Sequence, residues 1–450
     1  MSKTNTQRLL FASLSDKNVE ADFNGGEMTS DAGALLLREA EQHVGIIDAF
    51  AEALHDPRDP RYVKQCTRDL LMQRVSQIAC GYEDADDCDH LRHDPTFKVL
   101  AERNPLSGDP LASQPTMSRF ENAATPSDLY RMGDALLQNF VSLYAHPPRI
   151  IVLDFDTTDD VTHGDQQLTL FNAFYDEHCY LPLHVYEGLS GKLITTVLRP
   201  GKTLADGEIL SILRRLVSGL REAWPETIFV FRADSHFAKP GVLDWLDAHG
   251  LFYAMAFSKN PVLLRQSQLA RHEARRRFER LERKSRVYGS FFYQAGTWPA
   301  PRRVIVRAEH SADGDNPRFV VTNLERAKAK VIYEWVYCPR CATEHCIEDH
   351  KTHLQSDRTS SHRFLANQFR LFLHSAAYVL MHALRENVLR GTEFATAKFD
   401  TIRLRLLKIG ARVRELKTKV AFHLPTSFPH KDILHRACLL FGHLRPLHDP

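Results

Sequence analysis

Apolar positions in the first third of the chain follow the period of an α-helix. In TSDAGALLLREAEQHVGIIDAFAEAL, which starts at Thr29, apolar residues recur at intervals of three and four behind a Thr-Ser pair that can cap a helix. YVKQCTRDLLMQRVSQIAC and SDLYRMGDALLQNFVSLYA repeat this pattern as far as about Tyr144, and the rigid AHPPR segment ends it. The pattern predicts a mostly helical N-terminal domain.

The next segments are typical of strands that end in carboxylates. IIVLDFDTTDD is a short run of apolar and β-branched residues in which Asp154 and Asp156, two apart, lie on one strand face. YLPLHVYEG and KLITTVLRP flank a turn and predict a hairpin, and an amphipathic helix follows them. A fourth strand, ETIFVFRADSHF, ends at Asp234. The order of these elements predicts an α/β unit with a mixed sheet.

The second half of the chain opens with a basic stretch and a group of alternating segments. RHEARRRFERLERKSR lies within residues 265–286, and SFFYQAG, RRVIVRAEH and RFVVTNL then predict a small β segment inserted into the α/β domain. Helical patterns return after Pro339 and continue into the basic RLRLLKIGARVRELKTK, which is also predicted to be helical. These changes predict five parts: the N-terminal domain at 1–148, the first part of the α/β domain at 149–264, the basic helix and inserted β segment at 265–335, the rest of the α/β domain at 336–395, and a basic helical C-terminal region at 396–450.

Charge is distributed unevenly along the 450 residues, although the net charge is only +2. Residues 1–250 carry 23 Lys and Arg against 38 Asp and Glu, whereas residues 251–450 carry 35 against 18. This asymmetry favours a carboxylate-rich centre combined with a surface that binds a polyanion, with solvated helix faces as the alternative. No run of about 18 apolar residues and no signal peptide appears, so a cytoplasmic protein without membrane association and with reduced cysteines is expected.

The stretch YCPRCATEHCIEDHK, residues 337–351, supports two interpretations. Cys338, Cys341, His345 and Cys346 are four candidate zinc ligands within nine residues. Structural zinc sites usually join a C-x-x-C pair to a second pair across a longer loop, and the chain has no second C-x-x-C. The cysteines are therefore expected to be buried or idle thiols, and zinc at Cys338 and Cys341 stays an open alternative.

The second interpretation places a polar stripe on a helix. Pro339 suits a first turn, and Arg340, Glu344 and Lys351 follow at steps of four and seven, behind Tyr337. Such a stripe can be a surface ladder of ion pairs, but here it can also bring a third carboxylate to the two strand-end aspartates. Three carboxylates repel one another unless cations lie between them, and Mg²⁺ suits carboxylate, water and phosphate ligands. Two such ions would support in-line phosphoryl transfer on DNA.

At these residues the chain resembles a known family, the DDE transposases of bacterial insertion sequences in the branch with a Tyr-x2-Arg-x3-Glu-x6-Lys signature. Within that branch, LDFDTTDD, HGDQQ, FNAFY, LPLHVYEG, LRPGK and RADSHF are similar to the insertion-sequence 1380 family. The resemblance implies a ribonuclease-H-like catalytic domain interrupted by a β segment. It also implies binding to the terminal inverted repeats and to target DNA, Mg²⁺- or Mn²⁺-dependent cleavage and strand transfer with two ions in each site, and a homodimer in the DNA complex.

The resemblance also implies roles for individual residues. Asp156, Asp234 and Glu344 match the three catalytic, metal-binding carboxylates. Asp154 on the same strand face is an additional candidate ligand, and Glu348 is the alternative third carboxylate. The signature residues Tyr337, Arg340 and Lys351 would contact DNA phosphates.

Charge alone suggests two further surfaces for the DNA backbone. They contain the basic residues Arg275, Arg276 and Arg277, and Arg403, Arg405, Arg412 and Arg414. Each surface has the ordinary solvated helix as its alternative. The N-terminal domain is expected to bind DNA ends or to support dimerisation.

Two other functions fit the same residues. One is a ribonuclease-H-like DNA nuclease or resolvase that cuts without joining, and the other is a DNA-binding regulator that has lost catalysis. The sequence leaves open the terminal repeats, the target preference, the excision intermediate and whether the element is still active.

Overall fold

The computed structural model describes residues 8–440. Its strands are β1 (Leu9–Leu14), β2 (Lys17–Ala21), β3 (Met28–Thr29), β4 (Ile150–Thr157), β5 (Asp160–Val161), β6 (Leu170–Asn172), β7 (Glu177–Tyr180), β8 (Leu183–Glu187), β9 (Leu193–Val197), β10 (Ile228–Ala233), β11 (Phe252–Phe257), β12 (Ser285–Tyr293), β13 (Arg302–Ser311), β14 (Gly314–Asp315), β15 (Arg318–Thr322), β16 (Ala411–Glu415) and β17 (Val420–His423).

The α-helices complete the description. They are α1 (Leu35–Val44), α2 (Ile46–Ala53), α3 (Thr67–Ala79), α4 (Asp87–Leu91), α5 (Pro95–Leu100), α6 (Gln114–Ala123), α7 (Pro126–Ser142), α8 (Asp206–Ala223), α9 (Pro240–Ala248), α10 (Pro261–Gln266), α11 (Gln268–Leu281), α12 (Ala329–Val331), α13 (Cys341–Glu348), α14 (Phe364–Asn387), α15 (Phe399–Ile402) and α16 (Lys431–Leu440). Short 3₁₀ and π turns adjoin several of them, including the turns on either side of α13.

The described chain forms two compact units. One contains the residues up to Ala51, His55–Glu121 and the residues from Ala383 onward, and the other contains Glu52–Leu54 and Asn122–His382. Within residues 8–440 no helix is long and apolar enough to cross a membrane.

The second unit is built on a mixed sheet, as the sequence predicts. The sheet has nine strands in the order β12-β13-β15-β11-β10-β4-β8-β9, with β14 paired to β13. Strand β10 runs parallel to both β4 and β11, whereas the other pairs are antiparallel. A large hydrophobic cluster lies against this sheet, where α8 contributes the predicted apolar face that includes Ile209, Leu213 and Leu220.

The inserted β segment differs from its predicted form. Strand β15 pairs with β11, and β13 and β12 follow it, so these strands extend the central sheet. The reason is that β11 needs a partner on its second edge, and Phe319, Val320 and Val321 of β15 are buried there. The segment therefore separates the two parts of the α/β domain in sequence, but its strands are continuous with the central sheet.

The basic C-terminal stretch is not a continuous helix, contrary to the prediction. A short π turn at Arg403–Leu407 follows α15, after which β16 and β17 form a hairpin that pairs with β3. Ala411 and Val413 are buried while Arg412 and Arg414 are exposed, which is the period-two alternation of a half-buried strand. The helix predicted from Thr29 also begins later, at Leu35, because Thr29 belongs to β3.

A buried carboxyl in α1 gives the first unit a pH-dependent stability. Glu41 Oε1 accepts hydrogen bonds from the backbone N–H groups of Ile47 (2.8 Å) and Asp48 (3.3 Å), whereas Oε2 is buried and unpartnered. Burial raises the pKa of Glu41 from its ordinary value of 4.5 to about 7. Ionised Glu41 therefore costs stability as the pH rises from the unfolded pKa through the folded one.

The substitution Glu41→Gln removes this cost and tests it. Between about pH 4 and about pH 8, the unfolding free energy of the variant relative to the wild type is expected to rise by roughly 2–3 kcal/mol. Urea unfolding followed across that range measures the difference, with Glu52→Gln at an exposed position as the control. A difference that is the same at every pH would show that folding does not raise the pKa of Glu41.

Candidate active site

Two aspartates leave the central sheet side by side. In the parallel pair of β4 and β10, Arg232 lies opposite Asp154 and Ala233 lies opposite Phe155. The next positions along are Asp156 and Asp234, whose backbones are therefore about 5 Å apart, the spacing of neighbouring strands. The carboxyl ends of these strands thus bring together two of the three predicted carboxylates.

Asp156 is buried and pairs with a cation from the polar stripe. Arg340 Nη2 lies 2.7 Å from Asp156 Oδ2, and the N–H of Thr157 donates to Oδ1 at 3.0 Å. Burial raises the pKa of Asp156 to about 6; the charge of Arg340 opposes this rise, while the charges of Asp234 and Glu344 add to it. The three predicted carboxylates therefore act on one another electrostatically.

Helix α13 is fixed to the sheet on its buried side. Thr343 Oγ1 donates to Asp154 Oδ2 at 2.8 Å, and the hydroxyl of Tyr186 in β8 donates to the carbonyl of Cys346 at 3.4 Å. Glu344, the residue after Thr343, points outward and is exposed. The 3₁₀ turn before the helix, Cys338–Arg340, positions the guanidinium at Asp156.

Asp154, the additional candidate ligand, is fully engaged in a buried ion pair. Its Oδ1 accepts from Arg232 Nε at 2.6 Å, and its Oδ2 accepts from Arg232 Nη2 at 2.5 Å as well as from Thr343. The side chains of Asp154 and Arg232 are 0% and 2% exposed. Both oxygens of Asp154 are therefore engaged by Arg232 and Thr343.

Sequence reasoning missed Arg232 and Gly188, which complete this network. Arg232 also donates to the carbonyls of Val336 at 2.8 Å and Gly188 at 3.2 Å. A Cβ at Gly188 would overlap Arg232 Nη2 and Asp154 Oδ2, so only glycine fits there. An arginine inside an otherwise buried strand was the available signal, because it needs an anionic partner on a neighbouring strand.

Asp234 and the remaining signature residues are placed as follows. Asp234 accepts from the N–H of His236 at 2.8 Å, and its Oδ2 lies 2.9 Å from His236 Nδ1. Tyr337 packs against Tyr333 with tilted rings; burial raises the pKa of Tyr337, the charge of Arg340 opposes this rise and that of Asp234 adds to it. Lys351 Nζ instead donates to Asp159 Oδ1 at 2.9 Å. Tyr337 therefore lies within electrostatic range of Asp234 and Asp156, whereas Lys351 is paired with Asp159.

The predicted basic surfaces lie in different units. On α11, Arg275 pairs with Asp315, and Arg276 and Arg277 both pair with Glu273, all on an exposed face. In the first unit, Arg405, Arg412 and Arg414 are exposed, whereas Arg403 is partly buried and donates to the carbonyl of Ala79 at 2.9 Å. Arg403 thus has a structural contact that its sequence context did not indicate.

The cysteines around the polar stripe face different surroundings. Cys338 packs against the cluster that contains Ile332 and Tyr333, Cys341 is exposed, and Cys346 is buried against the turn at Gly191. Within residues 8–440, no group of three His, Cys, Asp or Glu side chains is arranged as a set of metal ligands.

Comparison with known proteins decides the family. The model of a family described as transposase DDE domain, group 1, matches residues 11–446, nearly the whole chain. The chain belongs to the DDE transposases. No curated protein matches it. A search of solved structures finds one titled as the cryo-EM structure of the piggyBac transposase synaptic complex with hairpin DNA. The two chains are 12% identical, the match covers 84% of this chain and 80% of that chain, and the TM-score is 0.43.

DDE transposases cleave and join DNA and generally use divalent metal ions. The carboxylates at this site belong to the ligand class that such ions take, although in residues 8–440 no three of them are arranged as a ligand set. Asp156, Asp234 and Glu344 offer carboxylate oxygens, the ligands that Mg²⁺ prefers. Burial is the main cause of the raised pKa of Asp156, and a cation would relieve the smaller contribution that comes from the charges of Asp234 and Glu344. Arg340 at Asp156 Oδ2 already places a positive charge at this position.

Proposed function

We propose that this DDE transposase binds the terminal inverted repeats of a bacterial insertion sequence of the 1380 family, cleaves at their ends and joins the freed 3′-hydroxyls to target DNA. The proposal is supported by Asp156 and Asp234, which lie at the ends of adjacent parallel strands, and by Glu344, whose charge acts on Asp156 from a helix that is bonded to the same sheet. A mixed sheet with carboxylates at these positions also supports the proposed ribonuclease-H-like catalytic domain.

In this proposal Asp156, Asp234 and Glu344 hold two Mg²⁺ or Mn²⁺ ions. When bound, such ions activate a water or hydroxyl nucleophile and stabilise the leaving oxygen of an in-line phosphoryl transfer. Arg340 keeps a positive charge beside Asp156, where a DNA phosphate would lie. Thr343 and Asp154 fix the backbone of α13, so that Glu344 is presented at a constant position.

The remaining DNA contacts of the proposal follow charge and exposure. Arg276 and Arg277 on α11, and Arg405, Arg412 and Arg414 of the first unit, are exposed and suited to the DNA backbone. Lys351 would bind a phosphate only by exchanging its ion pair with Asp159. In this proposal two copies of the chain act on paired transposon ends, in a bacterial cell and on nucleoid DNA.

A strand-transfer assay tests this function. The purified chain, Mg²⁺ and a labelled duplex that carries the element's terminal repeat are expected to yield both cleaved ends and products joined to a plasmid target. Cleavage without joined products would replace the proposal with a nuclease or resolvase. Specific end binding without cleavage would replace it with a regulator.

A further inference from the structure

Two cysteines on either side of Arg340 take no part in the chemistry above. Cys338 and Cys341 form a C-x-x-C segment with Pro339 and Arg340 between them. Both are free thiols, and Cys341 is exposed whereas Cys338 is partly buried. Among the residues that the structure describes, no third His, Cys, Asp or Glu side chain completes a set of metal ligands with them. A C-x-x-C pair without further ligands is an arrangement in which thiols and disulfides exchange.

The backbone between the two cysteines brings their side chains to the same side of the chain. Pro339 has no N–H to donate, and the helical run tightens at this point into the 3₁₀ turn Cys338–Arg340. The N–H of Cys341 donates to the carbonyl of Cys338 and closes that turn. In a 3₁₀ turn, side chains three residues apart eclipse each other at a separation of about 6 Å. This separation lies within the Cα–Cα range of about 4.4–6.8 Å that disulfides span.

The two thiols are close to each other but differ in their access to solvent. Cys338 packs against the cluster that contains Ile332 and Tyr333. Burial raises the pKa of Cys338, the charge of Arg307 opposes this rise, and the charge of Cys341 adds to it. The two sulfur atoms therefore lie within electrostatic range of each other. Because Cys341 is exposed, it is the thiol that a dissolved reagent meets first.

The third cysteine of this segment faces another direction. Cys346 lies five residues after Cys341 on α13, which places the two side chains about 140° apart around a helix of 3.6 residues per turn. The side chain of Cys346 is buried, with its Sγ 4.0 Å from the carbonyl oxygen of Gly191. The partner that Cys341 can reach is therefore Cys338.

We propose that Cys338 and Cys341 form a redox modification site, a dithiol that small disulfides such as oxidised glutathione convert into an intramolecular disulfide. The Cys341 thiolate attacks one sulfur of the reagent and releases its first thiol. The Cys338 thiolate then attacks the sulfur of Cys341 and releases the second thiol. The two cysteines are thereby oxidised by two electrons, the S–S bond of the reagent is reduced, and the two cysteine protons end on the released thiols.

Formation of this disulfide displaces Arg340. The Cβ atoms of a disulfide lie about 3.5–4.5 Å apart, so the two ends of the turn approach each other by about 2 Å. Arg340 lies within the turn, and its Nη2 contacts Asp156 Oδ2 at 2.7 Å. On the proposed function, oxidation therefore slows DNA cleavage, because it disturbs a cation beside a catalytic carboxylate. An exposed disulfide is easily reduced, so the change is reversible.

Peptide mapping after exposure of the reduced chain to oxidised glutathione, without DNA, tests the modification. Trypsin cuts after Arg340, so Cys338 and Cys341 fall in separate peptides, VIYEWVYCPR and CATEHCIEDHK. Under non-reducing conditions, a disulfide is expected to join the two peptides in the wild type and in Cys346→Ser. Reduction is expected to separate them. Cys338→Ser and Cys341→Ser should each yield no joined peptides.

DNA cleavage provides the second measurement. The oxidised wild type is expected to cleave at least about tenfold more slowly than the reduced chain and to recover in dithiothreitol, because a catalytic group that is misplaced by an ångström or more loses its effect. Cys341→Ser is expected to cleave at the same rate before and after exposure to oxidised glutathione. Cys66→Ser removes an exposed cysteine elsewhere in the chain and should keep the sensitivity of the wild type.

The outcomes separate the ways in which the proposal can fail. Peptides that are never joined, peptides that are still joined in Cys341→Ser, or stoichiometric zinc that blocks oxidation of the two thiols would each overturn the modification site. Joined peptides with an unchanged rate of cleavage would overturn the displacement of Arg340. A reduced chain that cleaves no DNA would instead overturn the proposed function, and the peptide result would stand by itself.

Discussion

The substitution Glu344→Gln is expected to lower the rate of DNA cleavage at least about a hundredfold while leaving end binding intact, because it removes one negative charge that the reaction requires but no group that binds the DNA backbone. Gel assays of cleavage and binding measure the two quantities separately. Asp156→Asn and Asp234→Asn are expected to behave in the same way, since their charges act on one another and on Glu344.

Glu348→Gln is the matched control for this prediction. Glu348 lies one turn further along α13, where its carboxylate is 3.7 Å from His345 and 3.9 Å from His353. We expect this variant to cleave at a rate close to that of the wild type. Normal cleavage by Glu344→Gln together with loss of cleavage in Glu348→Gln would show that Glu348, and not Glu344, is the third catalytic carboxylate.

The second large effect is expected on stability. Arg232→Met leaves Asp154 buried without its cation and should lower the unfolding free energy of the second unit by about 3–5 kcal/mol. The guanidinium makes contacts to β4, to the turn at Gly188 and to the backbone at Val336, all of which are lost. Urea unfolding at neutral pH measures the change.

Two further variants show whether the loss comes from the unpaired charge. The double variant Asp154→Leu, Arg232→Met should be less destabilised than Arg232→Met alone, because no buried charge remains. Arg276→Met removes an arginine from an exposed ion pair in the same unit and should leave the unfolding midpoint unchanged. If Arg232→Met unfolds at the wild-type midpoint, the network does not stabilise the fold.

The local periodicity of apolar residues was sufficient to predict those elements whose burial pattern fits only one type of secondary structure. The buried runs of β4 and β10, the hairpin of β8 and β9, and the apolar face of α8 all appear as predicted. The helix predicted for the C-terminal stretch is wrong because the arginines there recur both at spacings of two and at spacings compatible with a helix. The segment forms a strand because Ala411 pairs with Thr29, a residue that is distant by almost the whole length of the chain.

The candidate site shows the same division between local and distant information. The strand-end positions of Asp156 and Asp234 follow from sequence, since parallel neighbours end at one edge. The buried network does not, because Asp154 meets Arg232 and Thr343 only after residues far apart in the chain are brought together. The ion pair between Lys351 and Asp159 likewise joins two residues that are far apart in the sequence.

Anomalous scattering from manganese would test the central claim most directly. In crystals of the full chain with DNA and Mn²⁺, the account predicts anomalous peaks within about 2.1 Å of carboxylate oxygens of Asp156, Asp234 and Glu344, with Asp154 still bound to Arg232. Manganese bound elsewhere, or coordinated by Asp154 in place of Asp156, would contradict the assignment of the catalytic carboxylates.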